Sequence, residues 1–527
     1  MKSAAFVSHH VSTSDRWSLF LACATAILVM QPAYSQNPDR LDELVVTAST
    51  MPIEPEKVGS AVSVITAEDL QIQGTQYAAD ALRHVPGVAV NRAGSFGGLT
   101  QVRLRGAEGN HVLVLIDGVE VAGSGSGEFD FSSLLASGVA RIEVLRGPQS
   151  GLYGANAMAG VINVITASGA GGSRVDVSAE AGSFDSMQTS VSARGGNDRR
   201  HGAITVAYRN ARLDVSEFGN ENDEDENLSL VGRGTLGVSA QLALDGGFRV
   251  TDKHSELDGF DFSGGPDQGL SIDTADFADT VDAQISGGAT WSLRDGGWVT
   301  RLSGNYFQGE VDGGGTSIYG SETTREQLAL TSTVELDTGS TTGAHFVSAF
   351  IQHEDETYRN RYPFDPSQLP ELERGILGVG FEYRGELHER LYVSGAVRND
   401  SNDGFQDATT YRLTAAYLVN ENGTRLHTSY GSGVTNPTFF EQFGFVPGTF
   451  VGNPNLEPEE VEGWDVGVEQ RFADGRLAVD ITFFAADLED EIASLFPTVV
   501  NDAGTSKRQG IELAFDGQLG ERLSLSA

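Results

Sequence analysis

From about residue 172 to the end of the chain, apolar and polar positions alternate in short runs that are separated by Gly, Asp and Asn. Each run has about the ten residues that a tilted membrane-crossing strand requires. A period of two places apolar side chains on one face of a strand and polar side chains on the other. The region therefore predicts a series of antiparallel strands. The clearest runs are 204–208, 328–336 and 477–483.

A soluble β-sandwich and a membrane barrel both produce this alternation. Acidic residues such as Glu335 and Asp480 fall on the inward face, where a sandwich would have to bury them. A barrel can instead expose them to an aqueous lumen, with the apolar face toward lipid. The pattern favours an all-β membrane barrel over residues 169–527, with about 16–17 candidate strands.

Residues 58–168 have a different pattern, in which short β runs alternate with turns and one short helix. The apolar runs start near Val62 and Val112, and Tyr77 to Leu82 predicts the helix. Four arginines alternate with apolar residues in this region. They are Arg103, Arg105, Arg141 and Arg146. We predict an α+β domain whose guanidinium groups face the acidic barrel wall, although surface arginines on a soluble domain would have the same spacing.

The N-terminus has the pattern of a secretory signal. Lys2 and Arg16 precede an apolar run from Trp17 to Met30, and Ala33-Tyr34-Ser35 supplies the small residues of a cleavage site. Residues 1–35 are therefore predicted to be a signal peptide. A retained membrane anchor is the alternative, but the apolar run is short for a bilayer. The one cysteine, Cys23, lies in this leader, so disulfides are not expected to stabilise the mature protein.

A short β-prone segment follows within the predicted periplasmic stretch 36–57. It consists of Asp42, Glu43, Leu44, Val45, Val46, Thr47 and Ala48. Because prolines break the chain directly afterwards, the segment cannot easily join a hairpin. An ordinary edge strand is one interpretation. We expect instead that the segment lies loose and adds a strand to the sheet of a partner.

Composition excludes several classes of protein. The formal net charge of -38 argues against nucleic acid as a partner, because phosphate binding needs a basic surface. Hydrophobic residues make up only 39% of the chain, and no second long apolar run predicts a membrane helix. No His-Glu-x-x-His motif, nucleophile elbow or phosphate loop is present, so we do not expect an enzyme.

Two blocks of residues 58–168 resemble a known family. They are Val102-Arg103-Leu104-Arg105-Gly106, and Arg141-Ile142-Glu143-Val144-Leu145-Arg146-Gly147-Pro148 with its continuation to Thr166. They are similar to the plug domain of TonB-dependent outer-membrane receptors. The resemblance implies a plug inside an outer-membrane barrel, and it makes Asp42 to Ala48 the TonB box. It also implies active import of a scarce small-molecule nutrient, driven by TonB and its inner-membrane complex.

The resemblance also raises a question about the barrel. Known members of the family close with 22 strands and usually end on an aromatic residue, whereas this chain stops at Ala527. An open sheet edge in lipid leaves backbone groups unpaired at several kcal/mol each. We therefore expect a sequence that is truncated by roughly five strands. A non-functional remnant is one reading that follows from this expectation.

Within the family, the spacing resembles the cobalamin receptors most, and a ferric siderophore or haem is the alternative substrate. Two acidic loops carry part of this resemblance, since cobalamin receptors order the corresponding loops with calcium. The carboxylates concerned are Asp223, Asp225, Asp258, Asp261 and Asp273. Calcium requires six to eight convergent oxygens, and a solvated acidic loop is the other interpretation. No cofactor is expected to be required, and a passive porin or adhesin remains the rival class.

Overall fold

The computed structural model describes most of the chain from residue 44 onward. The described ranges are 44–123, 125–170, 172–213, 223–261, 265, 268–316, 318–336, 343–362, 371–419, 423–473, 475–518 and 523–527. The predicted signal peptide and the first two residues of the predicted TonB box, Asp42 and Glu43, lie outside them.

The first folded unit is a small α+β domain, which we call the plug. A five-stranded sheet forms its centre, in the order β1-β6-β7-β4-β5, and β2 pairs with β3 in a separate hairpin. The strands are β1 (Val62–Thr66), β2 (Val88–Arg92), β3 (Thr100–Leu104), β4 (Val112–Ile116), β5 (Val119–Glu120), β6 (Val139–Arg146) and β7 (Gly160–Thr166). The helices are α1 (Ala67–Ile72), α2 (Ala78–Leu82) and α3 (Ser150–Tyr153), with single 3-10 turns at Pro55–Lys57, Gly109–His111 and Phe131–Ser133.

Local sequence explains where the plug elements begin. Thr66 ends β1 and caps α1, because its hydroxyl accepts a hydrogen bond from the Asp69 amide at 3.2 Å. The Asp69 carboxylate in turn accepts one from the Thr66 amide at 2.8 Å, which completes a reciprocal capping box. The helix predicted from Tyr77 to Leu82 is confirmed as α2, which buries Leu82 completely in the plug core.

The second unit is a barrel of seventeen strands with β8 and β28 as neighbours at the seam. From β8 to β28, each barrel strand pairs antiparallel with the next barrel strand in chain order. The strands are β8 (Arg174–Ala181), β9 (Met187–Asn197), β10 (Arg200–Leu213), β11 (Asp223–Gly237), β12 (Leu242–Phe260), β13 (Ser271–Leu293), β14 (Trp298–Gly314), β15 (Tyr319–Glu335), β16 (His345–Asn360), β17 (Leu372–Leu387), β18 (Leu391–Asn402), β19 (Ala408–Leu418), β20 (Thr424–Thr435), β23 (Glu459–Phe472), β24 (Leu477–Glu489), β27 (Thr505–Gln518) and β28 (Ser524–Ser526).

Two small hairpins and a helix decorate the longer connections. They are α4 (Phe439–Phe443), β21 (Phe445–Val446), β22 (Phe450–Val451), β25 (Ile492–Leu495) and β26 (Thr498–Asn501). The short connection between β13 and β14, at the other end of the barrel, contains a 3-10 turn at Arg294–Gly296. This end of the barrel has short turns, such as the one between β17 and β18. Short turns mark the periplasmic end of such a barrel and long loops the extracellular end.

The alternation of the strands separates two environments. Leu328, Leu330 and Ile481 are 57%, 42% and 51% exposed on the outer face, whereas Arg325 and Thr482 are buried on the inner face. The barrel prediction is therefore confirmed, including the placement of charge toward the lumen. Over the described residues, no helix has the length and apolar character needed to cross a bilayer.

Candidate functional site

The segment from Val45 to Thr50, which we call the leading segment, is docked at the periplasmic end of the plug. Its backbone amides at Val46 and Thr47 donate to the carboxylate of Glu143, at 3.0 and 2.9 Å. The Thr47 hydroxyl donates to the same carboxylate at 2.5 Å. Glu143 is fully buried in β6, so these donors satisfy a charge that has no access to water.

Further plug contacts fix the direction of the leading segment. The hydroxyl of Tyr153 donates to the Thr47 carbonyl at 2.9 Å, and the amide of Asn163 donates to the Thr47 hydroxyl at 3.2 Å. Val45 forms an antiparallel bridge with Ile53. Burial raises the pKa of Tyr153, so its hydroxyl keeps its proton and remains a donor.

The barrel wall holds the other end of the same segment. The Ser49 hydroxyl and the Thr50 amide donate to the carboxylate of Glu382 at 2.9 and 3.0 Å. From β19, which is separated from β17 by β18, Arg412 donates to the Ala48 carbonyl at 2.9 Å. The leading segment therefore bridges the plug and the wall and is not a free tail.

This arrangement corrects one expectation from the sequence. The segment was expected to lie loose, but Val45, Thr47 and Ala48 are buried. The sequence analysis missed the two carboxylates that hold it, of which Glu382 stands at an ordinary polar position of an alternating strand. The available signal was a carboxylate within the apolar run of β6, where burial needs a donor partner. The identity of residues 42–48 as a TonB box stays a prediction.

A second set of contacts joins the plug arginines to the wall. Arg105 binds Glu512 through two nitrogens at 2.9 and 3.0 Å and binds Asp465 at 2.9 Å. Arg146 donates to the same Glu512 carboxylate at 3.0 Å. All four side chains are nearly inaccessible to solvent. Burial lowers the pKa of Arg146, yet an arginine stays protonated at any physiological pH.

Two of the four plug arginines therefore face the wall as predicted, and two do not. Arg141 pairs with Glu143 of its own strand at 2.8 Å. Arg103 is exposed and contacts Gln101 at 3.4 Å. The period of two predicts which arginines share a face, but it does not predict which strands lie against the wall.

The wall also carries cations that bind plug main-chain oxygens, a pattern that the sequence analysis missed. Lys253, Arg325 and Arg425 donate to the carbonyls of Gly97, Ala122 and Val58 at 2.7, 2.9 and 2.8 Å, respectively. A carbonyl is present at every residue, so no side-chain motif in the plug reveals such a contact. The plug is consequently held by contacts that do not depend on its own charged residues.

A buried acidic cluster surrounds Arg325. Glu120 of the plug lies 3.2 Å from Arg325, and Glu354 and Glu356 of the wall bind the same guanidinium. Burial, with a further contribution from the two wall carboxylates, raises the pKa of Glu120 to about 7. Arg325 opposes this shift but does not cancel it. The plug therefore has one carboxyl that can take up a proton near neutral pH.

The extracellular face combines aromatic rings with charge. Tyr358 stacks on Phe439 with ring centroids 5.8 Å apart, and the guanidinium of Arg374 lies 4.6 Å from the Phe439 ring. Below them, His111 of the plug is fully buried and lies 2.8 Å from Glu459 of the wall. Tyr358 and Phe439 are themselves buried, but Phe440 of α4 is 41% exposed and stacks on Phe450 with ring centroids 4.8 Å apart. An exposed ring of this kind can bind a large ligand with an apolar face.

The candidate calcium residues lie at the extracellular ends of β11, β12 and β13. Asp225 accepts hydrogen bonds from Tyr77 at 2.5 Å and Arg209 at 2.7 Å, so an ion pair occupies it in this structure. The structure does not place the other candidate carboxylates together as a metal-binding group. These are Asp223, Asp258, Asp261 and Asp273. Across the part of the chain that the structure describes, no three His, Cys, Asp or Glu side chains are arranged to hold a metal ion.

Comparison with known proteins assigns the family. The TonB-dependent receptor plug domain model matches residues 54–161, and the TonB-dependent receptor-like β-barrel model matches residues 207–527. The chain belongs to the TonB-dependent receptors, which places it in the bacterial outer membrane. This result confirms the family that residues 58–168 resemble.

Individual relatives show two kinds of likeness. The chain is 27% identical to the vitamin B12 transporter BtuB of Vibrio vulnificus, over 90% of this chain and 75% of the relative. It is also 27% identical to BtuB of Photobacterium profundum, over 94% and 79%. The siderophore receptor PirA of Acinetobacter baumannii superposes with a TM-score of 0.69 at 17% identity, over 89% and 79%. At that identity the structural likeness supports the fold alone.

Proposed function

We propose that the protein imports cobalamin across the outer membrane, with TonB supplying the work through residues 42–48. The observation that carries the proposal is the docked leading segment, which binds Glu143 of the plug and Glu382 of the wall. A pull on this segment acts on both sides of the plug interface at once. A passive pore has no use for such a link.

Separate observations support cobalamin as the proposed substrate. The curated relatives at 27% identity are named vitamin B12 transporters. The acidic surface of the chain, with a formal net charge of -38, disfavours anionic iron chelates. Phe440, which is exposed and stacks on Phe450, can contact the apolar face of a large ring system.

Uptake assays in a receptor-deleted strain test the proposal. Cells carrying the protein should accumulate labelled cobalamin and grow on limiting cobalamin. Deletion of residues 42–48 should abolish accumulation and leave surface binding intact, and so should deletion of TonB. The matched control is Arg476→Gln, at an exposed periplasmic turn where the side chain donates to the Ala473 carbonyl at 3.1 Å.

The other outcomes discriminate the alternatives. Rescue by a ferric siderophore or by haem, without rescue by cobalamin, would show that the substrate is an iron compound. The proposal of TonB-driven import would still stand. Uptake that survives both deletions would indicate a passive porin. Absence of the protein from the outer membrane would indicate a non-functional remnant.

We also propose that the β11–β13 loops bind calcium through Asp223, Asp258, Asp261 and Asp273, with Asp225 as the least suited member because of its pairing with Arg209. Hard oxygen ligands on adjacent loops fit the chemistry of this cation. Calorimetric titration of the purified protein with calcium should detect binding. No heat of binding at millimolar calcium would remove the proposal.

A further inference from the structure

The wall site that holds the leading segment contains two opposite charges that do not contact each other. Glu382 and Arg384 lie two residues apart on β17, so both side chains point to the lumen face. Both residues are buried, with 3% and 8% of their surface exposed. Among the described residues, Oε1 of Glu382 and both Nε and Nη1 of Arg384 have no hydrogen-bond partner.

The reason for the separation is the leading segment itself. Ser49 and Thr50 both donate to Oε2 of Glu382, which satisfies the carboxylate from the side of the plug. Arg384 instead stacks on the ring of Phe346 with its guanidinium carbon 4.4 Å from the centroid. Arg384 also borders a small cavity that Ala48 and Ser49 of the leading segment line.

Removing the leading segment would take away the Ser49 and Thr50 donors of the Glu382 carboxylate, beside a guanidinium whose Nε and Nη1 have no acceptor among the described residues. Each uncompensated charge is costly in such a site. A bidentate arginine–carboxylate pair removes both costs. The other nearby groups keep partners outside the leading segment, since Glu386 binds Lys57 at 3.2 Å and Arg412 also donates to the Ser60 hydroxyl at 3.0 Å.

We propose that Arg384 is the replacement partner of Glu382, which makes the wall site a two-state switch. In the docked state Glu382 binds Ser49 and Thr50, and in the released state it binds Arg384. Arg384 therefore favours release of the segment rather than docking. The inference rests on the proposed function, since it concerns the segment on which TonB is proposed to pull.

The test measures release without any partner. A spin label at Leu44→Cys, in a full-length Cys23→Ser background, reports the mobile fraction of the segment by electron paramagnetic resonance in lipid vesicles. A Glu143→Gln substitution weakens the plug side, so that changes in either direction become visible. Correct assembly is checked by heat-modifiable migration on gels.

The sign of the effect decides the proposal. Arg384→Gln should lower the mobile fraction about threefold or more, because the released state loses its ion pair. Arg384→Lys should restore part of the fraction, and Glu382→Gln should remove the effect of Arg384→Gln. Arg476→Gln is the control and should change nothing.

A purely structural arginine would behave in the opposite way. A rise or no change in the mobile fraction with Arg384→Gln overturns the switch, and so does an effect that persists with Glu382→Gln or disappears only with Glu386→Gln. None of these outcomes depends on uptake. Failure of the switch therefore leaves the import proposal intact, and loss of import without a change in release leaves the switch intact.

Discussion

The plug core and the plug–wall interface lie within the same barrel, yet a different kind of contact dominates each of them. The core is a contiguous apolar cluster that includes Leu82, Ile142 and Val164, all fully buried. The interface is made largely of ion pairs and hydrogen bonds, such as those of Arg105 with Glu512 and Asp465, and its apolar contacts, such as Met158 against Val461, form small separate clusters. The plug is therefore packed like a soluble domain, but it contacts the wall like a transient partner.

This difference explains how a plug can be firm and removable at once. Apolar packing resists deformation because every lost contact creates a cavity. Polar contacts with a wall can be exchanged for contacts with water as the interface opens. A pull on the leading segment should therefore shift the interface before it disrupts the core.

The largest energetic effect is expected when the interface arginines lose their shared partner, Glu512. Glu512→Gln leaves Arg105 and Arg146 short of a buried partner, at a cost of about 3–5 kcal/mol. We expect a folded plug that sits loosely, seen as higher conductance in planar bilayers. Asp487→Asn is the control, because its pair with Lys507 is exposed. Unchanged conductance would show that the pair does not seal the lumen.

A core cavity should have a somewhat smaller energetic effect with a different consequence. Leu82→Ala should cost about 2–5 kcal/mol of plug stability. The plug itself should become sensitive to protease, while the barrel keeps its heat-modifiable migration. Ile72→Ala, at a 66% exposed position, is the matched control. Equal protease resistance in the two variants would contradict the comparison between core and interface.

The docked segment should respond more weakly. Glu143→Gln weakens the hydrogen bonds from the Val46 and Thr47 amides, at a free-energy cost of about 1–3 kcal/mol. The mobile fraction of a spin label attached through Leu44→Cys should therefore rise. The plug core should keep its protease resistance. Glu56→Gln, a partly exposed carboxylate in the same region, serves as control. An immobile label in the Glu143→Gln variant would show that Glu143 does not hold the segment.

The smallest effect is a dependence on pH. Because the pKa of Glu120 is raised to about 7 from a reference of 4.5, the folded plug binds this proton more readily than the unfolded chain. Its contribution to stability is full below about pH 4.5 and is lost as the pH rises through 7. Melting temperatures should therefore fall between pH 5 and 8, and less so for Glu120→Gln. Identical slopes for both proteins would exclude Glu120 as the cause.

Much of the architecture could be predicted from the sequence. The period of two revealed the barrel strands and which residues face lipid, and the strand count of about 17 agrees with the seventeen observed. The blocks around Arg105 and Arg146 identified the plug. The docking of Val45 to Thr50 could not be predicted, because the contacts to Glu382 and Arg412 join residues more than 300 positions apart.

The sequence by itself determined the class of this protein, since periodicity, charge and two plug blocks are local features that do not depend on how the chain closes. Only the tertiary structure decided which carboxylates hold the leading segment and which arginines seal the plug. The physical reason is that a strand's pattern specifies its faces, whereas the partner of each face depends on how the plug is seated in the lumen.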